Sequence, residues 1–312
     1  MQTRLALAAL LGALAAACGS DDAGPTTTST NNPPPPPYPA PEPDECITNV
    51  EPGHKTLTCS EGLSFELTVP AVCLERACGL IMDVHGFGMN GALQEVHTKL
   101  SVLAEQPGYI VVQPSAPGNL LSASWNPMMH DGPVFDIMQR VMRVWHVDQK
   151  RIHFDGYSQG GWMTWRFICA HADIIASAAP IAAGAGAQSC AFSDTQRPSR
   201  EMPIFYTHGT TDGLVAFSTA VTQRDALIAA WGMQEKEVVQ SGPDYEWTRY
   251  QNANGVVFEF AQHDWQTSFL LGQRPLAGHC FPGNGDLLGC GADTAFNWGQ
   301  SVLDFFMRHP MP

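Results

Sequence analysis

The chain has 312 residues, enough for one large domain or two smaller ones at roughly 150 residues each, and 44% hydrophobic against 15% charged residues exclude a disordered or coiled-coil protein. Thirty acidic against sixteen basic residues leave a formal net charge of −14, which excludes nucleic acid as the main partner because phosphate binding needs clustered Lys and Arg. Nine cysteines point to an oxidising compartment.

Residues 1–17 read as an export signal: Arg4 gives the positive start, and Leu5 to Ala17 is an apolar run of 13, too short to span a bilayer. Ala15-Ala16-Ala17-Cys18 resembles a bacterial lipobox, in which Cys18 is lipidated and anchors the chain to a membrane at the cell envelope. An ordinary cleaved signal, giving a secreted protein, is the alternative. Residues 18–45 carry a Thr/Ser/Asn stretch and five consecutive prolines, Pro33 to Pro37, so they bury nothing and are expected to act as a stiff spacer. The folded unit is expected over residues 46–312, as a monomer.

Within that unit strand and helix signals alternate. Leu63 to Val69 alternates like a half-buried strand, Leu80 to Val84 is an apolar strand ending at His85-Gly86, and Ala92 to Glu105 has helical spacing. Tyr109 to Val112 is a strand, a loop with Trp125-Asn126-Pro127 follows, and a helix covers about Val134 to Trp145. Arg151 to Phe154 is a strand running into Gly156, and Gln159 to Ala170 is the next helix. Ala176 to Ile181, Ile204 to Thr207 and Val256 to Phe260 are further strands; Thr219 to Trp231 and Thr294 to Met307 are helices. This order demands an α/β fold with a mostly parallel sheet covered by helices on both faces.

Gly156-Tyr157-Ser158-Gln159-Gly160 is a G-x-S-x-G motif placed between a strand and a helix. Such an elbow holds the serine in a strained conformation that only small neighbours allow, and lifts its hydroxyl to the helix N-terminus. A serine is a weak nucleophile and needs a base that is itself oriented by an acid, in the chain order serine, acid, histidine. Asp212, in the loop after the Ile204 to Thr207 strand, is the expected acid. His279 and His263 both follow strands and both qualify as the base; His208 is expected to be structural.

The loops around His85-Gly86-Phe87-Gly88, Ser158, His208-Gly209-Thr210-Thr211-Asp212 and Gly278-His279-Cys280-Phe281-Pro282-Gly283 occur in order over some 200 residues. Together they resemble the secreted polyhydroxybutyrate depolymerase and feruloyl esterase group of the α/β-hydrolases. The resemblance implies an α/β-hydrolase fold, His279 as the base, and an oxyanion hole from the backbone N–H groups of Phe87 and Gln159. Cys280 and Phe281 stand where members of that group often have threonine and tryptophan. No separate substrate-binding domain is read, so a small or oligomeric ester is expected rather than solid polymer.

The expected activity is that of a serine esterase working through an acyl-enzyme, on hydroxyalkanoate oligomers or feruloyl or acetyl esters, with no metal and no organic cofactor. A peptidase of the same fold and an inactive surface-binding lipoprotein are the alternatives. Trp125 and Trp162, in or near the site loops, are expected as aromatic walls for substrate. Without Cys18 eight cysteines remain, an even number. Their placement favours the local pairs Cys46–Cys59, Cys73–Cys78, Cys169–Cys190 and Cys280–Cys290.

Overall fold

A computed structural model describes residues 38–59, 62–186, 189–271, 273–292 and 296–312. Cys18 and the export signal lie outside the described residues. The elements in chain order are β1 (Gly53–Thr58), β2 (Ser64–Val69), β3 (Gly79–Val84), α1 (Gly91–Thr98), α2 (Leu100–Leu103), β4 (Tyr109–Pro114), α3 (Pro127–Val144) and β5 (Ile152–Tyr157). Then come α4 (Gln159–Ala170), β6 (Ser177–Ile181), β7 (Ile204–Gly209), α5 (Phe217–Trp231), β8 (Gln234–Gly242), β9 (Tyr245–Gln251) and β10 (Val257–His263). The chain closes with β11 (Thr267–Leu271), β12 (Arg274–Ala277), the short β13 (Phe281–Pro282) and β14 (Gly289–Cys290), and α6 (Trp298–Arg308).

Ten strands make one sheet in the order β1-β2-β4-β3-β5-β6-β7-β10-β9-β8. The six from β4 to β10 run parallel, while β1 and β2 at one edge and β9 and β8 at the other are antiparallel. The inner strands β3, β4 and β5 are buried at every residue, as strands covered on both faces must be. One face packs under α3, α4 and α5 around Trp165, Phe154 and Phe167; the other packs under α1, α2 and α6 around Trp298, Phe205 and Phe305.

Local chemistry sets the helix ends. Asn126 accepts a hydrogen bond from Met128 N at 3.1 Å with Pro127 in the first turn, so α3 starts seven residues before the expected Val134. The expected single helix from Ala92 to Glu105 is broken at Lys99, which is left-handed (φ 54°), while the Glu95 carboxylate caps α2 by accepting from Ser101 N at 3.1 Å. Strict alternation of strand and helix is a second correction: β8, β9 and β10 follow one another without a helix between them. The domain boundary also moves. Tyr38 to Glu45, expected in the spacer, packs on the domain: the Tyr38 hydroxyl donates to Trp145 O and His146 O at 3.0 and 2.8 Å, and Arg140 pairs with Asp44 and Glu45. Four disulfides join Cys46–Cys59, Cys73–Cys78, Cys169–Cys190 and Cys280–Cys290.

Candidate active site

β5 ends at Tyr157 and α4 begins at Gln159, leaving Ser158 alone at the turn with φ 55° and ψ −113°. Its N–H donates to Ile181 O at 3.0 Å and its carbonyl accepts from Trp162 N at 3.0 Å, so the strained residue is held from both sides. The turn is possible only with glycine at position 160, where a Cβ would sit 1.9 Å from Val84 O of the neighbouring strand. The serine thus stands at the C-terminal edge of the sheet on a helix N-terminus.

Asp212 lies three residues past β7. Its Oδ1 accepts from Leu214 N and Val215 N at 2.8 and 2.7 Å, and its Oδ2 lies 2.6 Å from Nδ1 of His279. Burial alone would raise the Asp212 pKa, but the His279 hydrogen bond, the adjacent His279 and His208 imidazoles and the Val215 N–H outweigh it, so the carboxylate stays below its ordinary value. The two loops are zipped together by Gly213 N to Leu276 O at 3.1 Å and Gly278 N to Thr211 O at 3.3 Å. They meet so closely that a Cβ at Gly209 would lie 2.2 Å from Gly278 O. His279 and Ser158 line one cavity.

The rival His263 ends β10 and makes no hydrogen bond or ion pair with Asp212 among the described residues; its ring packs on Trp265, and burial lowers its pKa to about 4. His208 donates from Nε2 to Val215 O at 2.9 Å, with Asp212 Oδ2 at 3.4 Å, and so supports the acid's loop.

Phe87 lines the cavity beside Ser158, and Gln159 follows the serine as the first residue of α4. The Gln159 side chain is engaged elsewhere: its Oε1 accepts from Trp125 N at 2.8 Å and ties the elbow to the loop that leads into α3.

Trp125 is buried against His85, with ring centroids 5.2 Å apart, and Trp162 turns its indole N–H to Gly184 O at 2.9 Å. Neither lines the cavity next to Ser158 and His279, whose walls are mainly leucines with Phe87, Tyr157 and Phe269.

Sequence reasoning missed Tyr157, whose hydroxyl donates to His279 O at 2.8 Å beneath the imidazole. Only its place inside the G-x-S-x-G motif marked it. A second omission is the buried pair Asp83 and Asp155, side by side on β3 and β5. Asp83 accepts from Gln94, Thr98 and Gln113 at 2.5, 2.7 and 2.9 Å, while burial and the Asp83 charge hold Asp155 well above its ordinary pKa. Among the described residues, His263, Cys280 and Cys290 bring ligand atoms within 4.8 Å of one another, but the two sulfurs are bonded to each other and offer no thiolate.

An imidazole paired with a carboxylate beside a serine on a helix N-terminus can generate an alkoxide-like nucleophile for acyl transfer. The sheet order and strand-turn-helix elbow define the α/β-hydrolase fold. Residues 136–253 match the Phospholipase/Carboxylesterase family. The bifunctional acetylxylan esterase/xylanase XynS20E of Neocallimastix patriciarum is 28% identical over 138 residues, and feruloyl esterase B of Piromyces equi is 25% identical over 195 residues. These stretches cover 44% and 61% of this chain but only 20% and 35% of the two relatives. Among solved structures, an acetyl xylan esterase from Aspergillus awamori shares the fold at a TM-score of 0.57 and 16% identity, covering 82% of this chain and 99% of that one.

Proposed function

We propose that the protein is a serine carboxylic ester hydrolase. Ser158 Oγ attacks the ester carbonyl, His279 takes its proton and passes it to the leaving alcohol, and Asp212 holds the imidazole in position. The Phe87 and Gln159 N–H groups receive the oxyanion. Water, activated by the same His279, then resolves the acyl-enzyme. The observation that carries this reading is the 2.6 Å pairing of Asp212 with His279 in a cavity shared with the strained Ser158. Among the described residues lining that cavity there is no Asp, Glu, Lys or Arg, which favours neutral esters over peptides with charged termini. The named relatives extend the candidate substrates to acetyl and feruloyl esters, beside hydroxyalkanoate oligomers. An exported site, held at the envelope through Cys18, accords with four disulfides.

The test is hydrolysis of chromogenic short-chain esters by the wild type and by Ser158→Ala, His279→Ala and His263→Ala. Ser158→Ala and His279→Ala should each lose at least 1,000-fold in kcat/KM, on the order seen when a triad member is removed. His263→Ala should keep most of the activity. Activity surviving in Ser158→Ala, or cleavage of anilides in preference to esters, would refute the reading.

A further inference from the structure

We infer that the cavity beside Ser158 binds a compact aliphatic group of the ester and that Leu121 is a specificity-determining residue for it. The inference rests on the esterase reading and narrows it. The cavity holds about 190 Å³, below the usual range for drug-sized ligands, so it suits a short chain. Its walls are supplied mainly by leucines, with Phe87, Met89 and Phe269. The Tyr157 hydroxyl, which also borders it, is already given to His279 O. A sugar ring or a phenol would therefore lose its hydrogen bonds to water on entry without gaining side-chain partners beyond the reacting groups.

The mouth carries the stronger evidence. Leu120, Leu121 and Leu287 line the cavity and are 58%, 71% and 59% exposed, an apolar rim set on the opening itself. Leu121 also has a left-handed backbone, φ 76°, which a leucine adopts only at a cost. Two backbone hydrogen bonds hold it there and join its loop to the proposed oxyanion loop: Leu121 N to Gly88 O at 3.0 Å and Gly88 N to Ala123 O at 2.8 Å. Asparagine or glycine would satisfy this backbone with less strain and without exposing a leucine. The side chain that stands there roofs the cavity, and an aliphatic substrate group is what would bury it.

Each methylene moved from water into such a cavity strengthens binding by about fourfold. The experiment compares kcat/KM for p-nitrophenyl acetate, butyrate and hexanoate and for methyl ferulate, and measures binding of ethyl hexanoate and ethyl acetate to Ser158→Ala by NMR titration. The wild type should favour butyrate or hexanoate over acetate by at least tenfold, with methyl ferulate below both. Ser158→Ala should bind ethyl hexanoate at least tenfold more tightly than ethyl acetate. Leu121→Asn, which suits the left-handed backbone, should lower the hexanoate-to-acetate ratio at least threefold with an equal or higher Tm. Equal binding of the two ethyl esters, preference for acetate or ferulate, or an unchanged ratio in Leu121→Asn overturns the inference. Because the binding measurement needs no turnover, a chain-length preference in binding without any ester hydrolysis would sink the esterase reading alone.

Discussion

His85 shows how one side chain can aim a backbone donor that it does not supply. Burial lowers its pKa to about 4, so near neutral pH the ring is uncharged. Its Nε2 lies 2.9 Å from Ala116 N and can only accept there, which leaves the proton on Nδ1 to be donated to Gly86 O at 2.6 Å. In a trans peptide the carbonyl and the following N–H point in opposite directions. Fixing Gly86 O therefore also fixes the Phe87 N–H, the proposed oxyanion donor. His85→Phe keeps the ring volume but leaves the Ala116 N–H unpaired and frees the Gly86 carbonyl. It should lower kcat about 10- to 100-fold with little change in KM, since an oxyanion donor acts on charge present only in the transition state. A rise in KM at constant kcat would place the effect on substrate binding instead.

The segment from His279 to Cys290 carries both chemistry and cavity wall. Phe281 N donates to Leu288 O and Gly283 N to Cys290 O, each at 2.8 Å, and the Cys280–Cys290 bridge closes the loop directly after the imidazole. Leu287 and Leu288 from its interior face the cavity. Replacing both cysteines with serine should cost about 3 kcal/mol of stability by loop entropy and reduce activity more than the same change at Cys73 and Cys78, far from the site; equal losses for the two pairs would show that the loop does not depend on its bridge. The sequence makes this element readable only in part. α4 is legible to its ends because a sharp glycine elbow precedes it and an apolar stripe runs through it. β8 is not, because this exposed edge strand carries Glu235, Lys236 and Glu237 and shows no apolar alternation. The β11–β12 hairpin is hidden by Pro275, which reads as a breaker and is tolerated in a two-stranded ribbon. The pairing of Asp212 with His279 follows the chain order and the histidine-loop resemblance, whereas the cavity wall is not legible, because its residues come from separate loops, strands and a helix spread from Phe87 to Leu288.

At the scale of the whole molecule the two edges of the sheet divide the work. Tyr38 and Glu42 dock beside Val144 to His146, ahead of β5, while Ser158, Asp212 and His279 lie past the opposite strand ends. Folding buries several histidines, and this makes stability depend on acid. Burial lowers the pKa of His85, His97, His263 and His309 to about 4, against an unfolded value of 6.5. In that interval the unfolded chain takes up protons that the folded chain refuses, so stability is complete above pH 6.5 and is lost as pH falls toward 4. Asp83, Glu95 and Asp155 act in the opposite sense, since their raised pKa values let the folded state keep protons. His97 isolates the effect. Its ring stacks on Phe281 at 5.0 Å and 8°, and both nitrogens lack partners, so His97→Phe preserves the stacking and removes the titration. The variant should gain no more than about 2 kcal/mol at pH 5, gain almost nothing at pH 8, and show a shallower fall in Tm between those values. Melting curves from pH 4 to 8 for the two proteins decide it, and parallel curves would show that His97 titrates alike in the folded and unfolded chains.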